Sequence, residues 1–445
     1  EPYICRKIDW NNDNKPRYKL HTMNYIVKIL LRIIGRTRRL TLFQLLWITV
    51  VIIIYTLWMW NGESVEQNTH NPVILWWTES FPGTSETRHC SNGIRCDIFS
   101  NRNISDLYNV EANLFYASNI KFDDLPLPRR PKEVIWGLYH EESPRNVEEM
   151  MHEDVLSLFN YSSTFSRFSD VPFPLQYLNS FEDITNIKYF VPTVEKNKYL
   201  NEISPVMYLQ SDCETSTERD IYVKELMKYI EIDSYGICLN NKKLPIKFTE
   251  DYLNKLHDNE FLSFIARYKF VIAIENGICN DYVTEKFWRA IKVGTVPIYF
   301  GSPLIKDWFP NNKSAILLED YPTPKIMSNY INKLMNDDKL YESYLEHKTK
   351  GLVTNTKLTD EIKNRPYQID VLKTATEFEC YVCEKLHQRR KGKLDQSIVN
   401  KNHYDCPKPL SALTLQVNPL NSWAYSFETA KQNAASIRKK IMTVN

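Results

Sequence analysis

Three short stretches of the chain carry side chains that could hold an anion or move a proton. In YKFVIAIENGICNDYVTEKFWRAIKVGTVPIYFGSP, Tyr268–Pro303, the pair Glu285-Lys286 falls at the expected start of a helix. Free N–H groups at a helix N-terminus, with a lysine in the first turns, suit an anionic ligand. An ordinary βαβ unit with a solvated Glu–Lys pair has the same pattern. Glu142, in His140-Glu141-Glu142-Ser143-Pro144, follows an apolar run. A carboxylate there can accept a proton across a cleft, although an acid after a strand more often caps a helix or faces water. Arg219 adds a cation near the head of a stripe formed by Ile221, Val223, Leu226, Met227, Tyr229 and Ile230. On pattern alone it reads as a surface helix residue.

The elements that must position these groups follow from periodicity. Val271–Ile274 is a short β-branched run of the kind a buried parallel strand needs. Glu275, Asn276 and Gly277 break it at the carboxyl edge, where open α/β sheets bind ligands. Asp281 can cap a helix beginning at Tyr282, with Val283, Phe287, Ala290 and Ile291 on one face. A second strand, Thr295–Phe300, ends at Gly301-Ser302-Pro303. Further strands are expected at Val73–Trp77, Val134–Tyr139 (leading to Glu142) and Val206–Leu209, and helices at Pro324–Asn336 and Lys339–Glu346. Pro192–Pro205 reads as a connector between domains. From Cys380 onward the chain is basic and less patterned, with only Trp423–Met442 helical.

Composition excludes several function classes. A net charge of +2 gives no reason to expect nucleic acid as a partner. No G-x-G-x-x-G fingerprint, Walker loop or internal repeat is present. Asp-x-Asp, with which many sugar-nucleotide transferases hold a metal, is also absent. Leu40–Trp60 carries no charge and, as a helix, spans roughly 31 Å. Arg32, Arg36, Arg38 and Arg39 precede it and Glu63 and Glu66 follow, so it reads as a single-pass type II signal-anchor with the bulk of the chain lumenal. The expected divisions are a cytosolic tail (1–39, with 1–22 ahead of Met23 not translated), the anchor (40–60), a stem (61–72), two domains (73–195 and 196–386) and a C-terminal extension (387–445). Asn103, Asn160 and Asn312 begin glycosylation sequons.

YKFVIAIEN, DYVTEKFW and GTVPIYFGSP together resemble the donor-binding signature of the α-1,3-fucosyltransferases, glycosyltransferase family 10. The resemblance is closest to the animal branch numbered ten and eleven, and covers roughly Val73–Leu386. It implies a glycosyltransferase-B type α/β fold, two Rossmann-like domains facing a cleft, behind the transmembrane helix. It also implies an inverting, metal-independent transfer of L-fucose from GDP-fucose to a glycoprotein, at Golgi or endoplasmic-reticulum membranes. By the same resemblance the acceptor-side domain is the first and the donor-side domain the second. Glu142 is the implied general base, in a Glu-Ser-Pro segment similar to the family's, with Glu141 the residue a one-position slip would substitute. Lys286 and Arg219 would hold the phosphates and Glu285 ribose or fucose hydroxyls, while Tyr282, Glu275 and Asn276 line the same pocket. The acceptor is left open between GlcNAc of an N-glycan and a serine or threonine of a folded protein domain.

Apart from Cys5, eight cysteines remain, an even count that favours disulfides. Cys380-x-x-Cys383 near His387 is half a zinc site, but Cys90 and Cys96 are too far apart in sequence for the matching half. The family implies Cys90–Cys380 and Cys96–Cys383. Cys213 and Cys238 flank one βα unit and are expected to pair, leaving Cys279 and Cys406 unassigned. A reading from another class, a non-catalytic lumenal protein that binds glycan or nucleotide sugar, is disfavoured because Glu142, Arg219, Glu285 and Lys286 are all present.

Overall fold

The structure, a computed structural model, describes residues 71–249, 258–393 and 397–443. Its first sheet is built from β1 (Val73–Trp76), β2 (Glu86–His89), β3 (Arg95–Phe99), β4 (Ala112–Tyr116), β5 (Ile135–His140) and β6 (Tyr161–Thr164). They lie in the order β2-β3-β1-β4-β5-β6. Every residue of β1, β5 and β6 is buried, as expected where both faces of a parallel sheet are covered. β2 alone is antiparallel. The chain reverses between β2 and β3 through Asn92 and Gly93 at φ +59° and +70°, a left-handed turn that asparagine and glycine tolerate. Its charged sequence, Glu-Thr-Arg-His, suits an exposed edge.

The second sheet is parallel throughout, in the order β11-β10-β9-β7-β8. Its strands are β7 (Val206–Gln210), β8 (Ile232–Gly236), β9 (Phe270–Ile274), β10 (Val296–Phe300) and β11 (Ile316–Leu317). Helix α1 (Arg219–Leu226) follows β7, and α2 (Glu285–Val293) follows β9. On α2, Phe287, Trp288, Ala290, Ile291 and Val293 are buried, and Gly294 closes the helix at φ +70°. The helix starts three residues later than the Asp281 cap expectation. Asp281 is drawn away by a buried ion pair with Arg167, and Thr284 caps instead, accepting from the Lys286 N–H. The stretch expected as a connector holds a helix, Thr193–Tyr199, whose Lys196 is buried and donates to the Tyr268 carbonyl at 2.6 Å.

Helix α3 (Pro324–Met335) lies against α1, and two longer helices come from the end of the chain. In α4 (Val371–Arg390), Ala375, Phe378, Val382 and Leu386 pack into the core of the first sheet. The fit is close: a Cβ on Gly137 of β5 would lie 2.6 Å from Leu114 Cδ2 and 2.9 Å from Phe378 Cζ. α5 (Ser422–Thr443) packs near the 3-10 segment Pro144–Met151 and residues 153–156. Both sheets belong to one compact unit, Thr69–Asn445.

The expected architecture is corrected on two points. The first sheet is mixed, because of β2. Among the described residues, no helix is long and apolar enough to cross a membrane; even α4 and α5 carry charged side chains along their length. Leu40–Trp60, on which the anchor rested, lies outside the described residues, as do the tail and most of the stem. The signal-anchor, the membrane as a partner, and the Golgi or endoplasmic-reticulum residence inferred from them are withdrawn. The Asn160 sequon is also unsuited to a glycan. That side chain is buried, accepts from Arg129 and the Trp136 N–H, and donates to the Ser397 carbonyl at 3.3 Å.

Among the described residues there are four disulfides: Cys90–Cys380, Cys96–Cys383, Cys213–Cys238 and Cys279–Cys406. The first two run side by side and clamp α4 to the edge of the first sheet. While one remains, opening the other frees a loop of only about ten residues. Replacing Cys90 and Cys380 with serine should therefore cost roughly 2–3 kcal/mol, and removing both bridges roughly 5 kcal/mol or more. Guanidinium unfolding of the two variants checks this; equal losses would show that the bridges do not share one long loop.

Candidate active site

β5 and β9 end at the carboxyl edges of their sheets, and the loops that follow them meet. A Cβ on Gly277 would lie 2.9 Å from Ser143 Oγ, so the approach of the two loops depends on glycine. The Tyr282 hydroxyl donates to Glu142 Oε1 across the junction. The same oxygen accepts from the Ser143 N–H at 2.7 Å. Among the described residues nothing bonds Glu142 Oε2, which leaves an acceptor lone pair for a ligand hydroxyl.

Glu141 faces elsewhere. The Tyr116 hydroxyl donates to its Oε1, while its Oε2 is buried without a partner. Burial pushes its pKa up, and the neighbouring Glu142 adds to the rise. An oxygen closed to solvent cannot be reached by an incoming hydroxyl. Of the two adjacent carboxylates, Glu142 is the one that faces the second sheet.

The first turn of α2 is held by an inward-turned acid. Glu275, fully buried, accepts from the Thr284 N–H and hydroxyl, each at 2.8 Å. Burial raises its pKa against the pull of Lys286. Lys286 Nζ stands 3.0 Å from Thr284 Oγ1, 3.2 Å from Glu285 Oε1 and 3.5 Å from Glu275 Oε2. Burial works to lower its pKa, but the two carboxylates outweigh it and hold the ammonium above its usual value. Glu285 shows the opposite balance: burial raises it, yet Lys286 and Arg289 bring it down to about 2.

Arg219 reaches the same edge from α1. Its guanidinium is almost wholly buried, with Nη1 3.3 Å from the Ile274 carbonyl that ends β9. Among the described residues its Nε has no partner, and neither does the buried Oδ1 of Asn276, whose main-chain oxygen accepts from Ser216 Oγ at 2.7 Å. Buried polar atoms left unpaired are costly, and their collection at one sheet edge marks a place where ligand groups would complete the bonding.

The structure therefore brings Glu142, Tyr282, Glu275, Asn276, Glu285, Lys286 and Arg219 to adjoining loops, with Glu275 turned inward as a support for Thr284. Sequence reasoning missed Tyr177. Burial drives its hydroxyl well above the ordinary range, and Glu285, Glu142, Glu275 and Glu141 each add to the rise. Nothing in its surroundings, FPLQYLN, signals that position. It also missed the C-terminal segment. Cys406 is bonded to Cys279, Asp405 accepts from Asn280, and Trp423 Nε1 donates to the Glu214 carbonyl at 2.7 Å.

Two side-chain groups have metal-ligand geometry among the described residues, Cys96/Cys383/His387 and Cys213/Asp220/Cys238. In both, the cysteines are joined as disulfides, so no thiolate is available to an ion.

Residues 69–176 match the family description "Fucosyltransferase, N-terminal", and residues 196–401 match "Glycosyltransferase family 10 (fucosyltransferase) C-term". The chain belongs to glycosyltransferase family 10. It is an inverting fucosyltransferase that uses GDP-fucose as its donor. It is 40% identical over 381 residues to human GDP-fucose protein O-fucosyltransferase 3, covering 82% of this chain and 79% of that one. It is 43% identical over 356 residues to Drosophila melanogaster alpha-(1,3)-fucosyltransferase B, covering 78% of each. A solved alpha1,3-fucosyltransferase with GDP-fucose aligns with 67% of this chain and 90% of its own, at 17% identity and a TM-score of 0.40.

The depressed pKa of Glu285 has a testable consequence. Its ionised form contributes stability that is fully present above the ordinary carboxylate range and is lost as pH falls through about 2. Wild type should exceed Glu285→Gln by about 2–3 kcal/mol near pH 6, with the gap closing towards pH 2. Denaturant unfolding across that range measures the gap; a constant difference would show that the carboxylate charge is not what stabilises the turn.

Proposed function

We propose that this fucosyltransferase moves L-fucose from GDP-fucose to a serine or threonine hydroxyl of a folded protein domain, with Glu142 as general base. The observation that carries the base assignment is the Tyr282–Glu142 contact: it fixes one carboxylate oxygen beside the α2 N-terminus and leaves the other open. Inversion requires one base, which takes the hydroxyl proton as the new C–O bond forms. As the bond to GDP breaks, negative charge grows on the β-phosphate and positive character on the sugar ring. Lys286, Arg219 and the positive end of the α2 dipole are the positive groups at that edge. Glu285 would accept from ribose or fucose hydroxyls, and Asn276 Oδ1 from another donor group. Tyr282 orients Glu142, and Glu275 supports the turn through Thr284.

In this reading residues 73–195 supply the acceptor side and residues 196–386 the donor side. A protein hydroxyl as acceptor is supported by the similarity to the human protein named as a protein O-fucosyltransferase. The second reading, α-1,3 transfer to GlcNAc of an N-glycan, is favoured by the Drosophila relative's name. Labelled GDP-fucose and proteins secreted by cells that cannot make GDP-fucose separate them: fucose on serine or threonine is released by alkaline β-elimination, whereas fucose on an N-glycan leaves with the glycan after amidase digestion.

Glu142→Gln keeps size and polarity but cannot take a proton. Turnover should fall by about two to four orders of magnitude, with GDP affinity nearly unchanged. Lys286→Ala and Arg219→Ala should weaken donor binding as well as turnover. Glu141→Gln is the control. Full activity in Glu142→Gln with loss in Glu141→Gln would move the base by one residue, and full activity in both would remove this mechanism.

A further inference from the structure

A groove of about 810 Å³ runs between the 3-10 segment Pro144–Met151 and helix α5. Its floor is formed by Ser118, Ile120 and Phe122, which follow β4. We propose that it is the docking surface for the acceptor protein, occupied by a surface loop of a folded domain. This rests on the reading that the acceptor is a protein.

One end of the groove lies close to the candidate active site. Arg145, at its head, lies three residues beyond Glu142. Its guanidinium stands 4.9 Å from the centre of the Trp423 ring and 3.0 Å from Asp212, in the loop that also holds the Arg219 guanidinium. At its floor the groove shares Ser118 and Ile120 with a second cavity of about 400 Å³. That cavity lies at the carboxyl ends of β1 and β4, where the strand order of the first sheet reverses, the position at which open α/β sheets take ligands. The groove alone is near the upper end of small-molecule sites, about 300–1,000 Å³, and with the cavity joined to it there is room for several residues of chain.

The chemistry of the α5 wall matches a polypeptide. Tyr425, Thr429 and Asn433 recur every four residues and so form one stripe along the helix. Ala424, Ala434 and Ile441 are buried away from this stripe, and Ala430, also buried, borders the groove. Tyr425 is 76% exposed. A tyrosine with hydroxyl and amide neighbours gives contact area at low entropic cost together with adaptable hydrogen bonding, the composition of protein-binding surfaces. The opposite wall mixes Arg145 with Glu148 and Glu149, so neither sign of charge dominates selection.

The test uses the full chain, labelled GDP-fucose and the secreted proteins of cells that cannot make GDP-fucose, both native and after reduction and alkylation. Tyr425→Ala removes an exposed anchor, and Thr429→Trp fills the groove. Calorimetric GDP affinity within about twofold of wild type shows that each variant is folded. The expected result is at least a tenfold drop in alkali-labile fucose on native acceptors at limiting acceptor concentration in either variant, the size of effect an interface anchor carries. Wild type should label native acceptors well above unfolded ones. Wild-type transfer by both variants overturns the groove while leaving the protein-acceptor reading intact. Equal labelling of native and unfolded acceptors also overturns it. An absence of alkali-labile fucose with wild type overturns the protein-acceptor reading, and the groove with it.

Discussion

The buried ion pair between Arg167 and Asp281 is the constraint on which the site depends. Asp281 sits at φ +63° with its carboxylate fully buried, a combination that needs many donors to be tolerable. Arg167 supplies its main-chain N–H at 2.9 Å and its guanidinium from the side, and Trp308 Nε1 adds a bond at 2.9 Å. Arg167 also pairs with Asp307 and lies 4.3 Å from the Trp308 ring centre. It follows β6 of the first sheet, whereas Asp281 follows β9 of the second. The pair therefore joins the two halves at the residue before Tyr282. Where Asp281 is fixed, the Tyr282 hydroxyl, the Thr284 cap and the Lys286 ammonium are fixed after it.

The C-terminal segment applies the same constraint from the other side. Cys406 and Asp405 hold Cys279 and Asn280, immediately before Asp281. Further along, the Ala412 N–H donates to the Thr217 carbonyl and Asn421 to the Ser216 carbonyl, just before Arg219. One segment thus braces both loops that carry candidate phosphate-binding groups, then continues as α5 onto the first sheet's flank. A loop with a left-handed residue and buried charges is kept in place by contacts distant in sequence rather than by its own propensity.

What the sequence made legible were features decided by neighbours along the chain. The apolar, β-branched run into β9 and the apolar face of α2 reflect local periodicity, and both appear within a residue or a few of where they were expected. The helix start was misplaced because Asp281 is a good cap by local logic, but its partner Arg167 is over a hundred residues away. α4 was missed for a related reason. Its buried stripe, Thr374, Ala375, Phe378, Glu379, Val382, Cys383 and Leu386, has helical spacing but includes polar groups. Glu379 is buried because Trp76 Nε1 and Arg88 each bond it at 2.8 Å, and neither is visible from its own surroundings. Asn160 reads as a sequon locally and is consumed by Arg129 in the fold. Tyr177 carries no local signal at all.

The adjacent carboxylates at the end of β5 show how finely position decides chemistry. Successive side chains of extended backbone project to opposite sides, so a one-residue step changes the whole environment of a group. His140, the last residue of β5, is sealed in the core with Nδ1 2.9 Å from the Tyr404 hydroxyl. Glu141 turns to Tyr116 at the end of the neighbouring strand and is desolvated there, which favours its protonated form. Glu142 turns to Tyr282 of the second sheet and keeps one oxygen open. A proton acceptor must be both reachable and aimed, and the buried Oε2 of Glu141 is not reachable. The proposal that Glu142, which sequence resemblance selected by a Glu-Ser-Pro triplet, is the base rests on this difference in burial and direction.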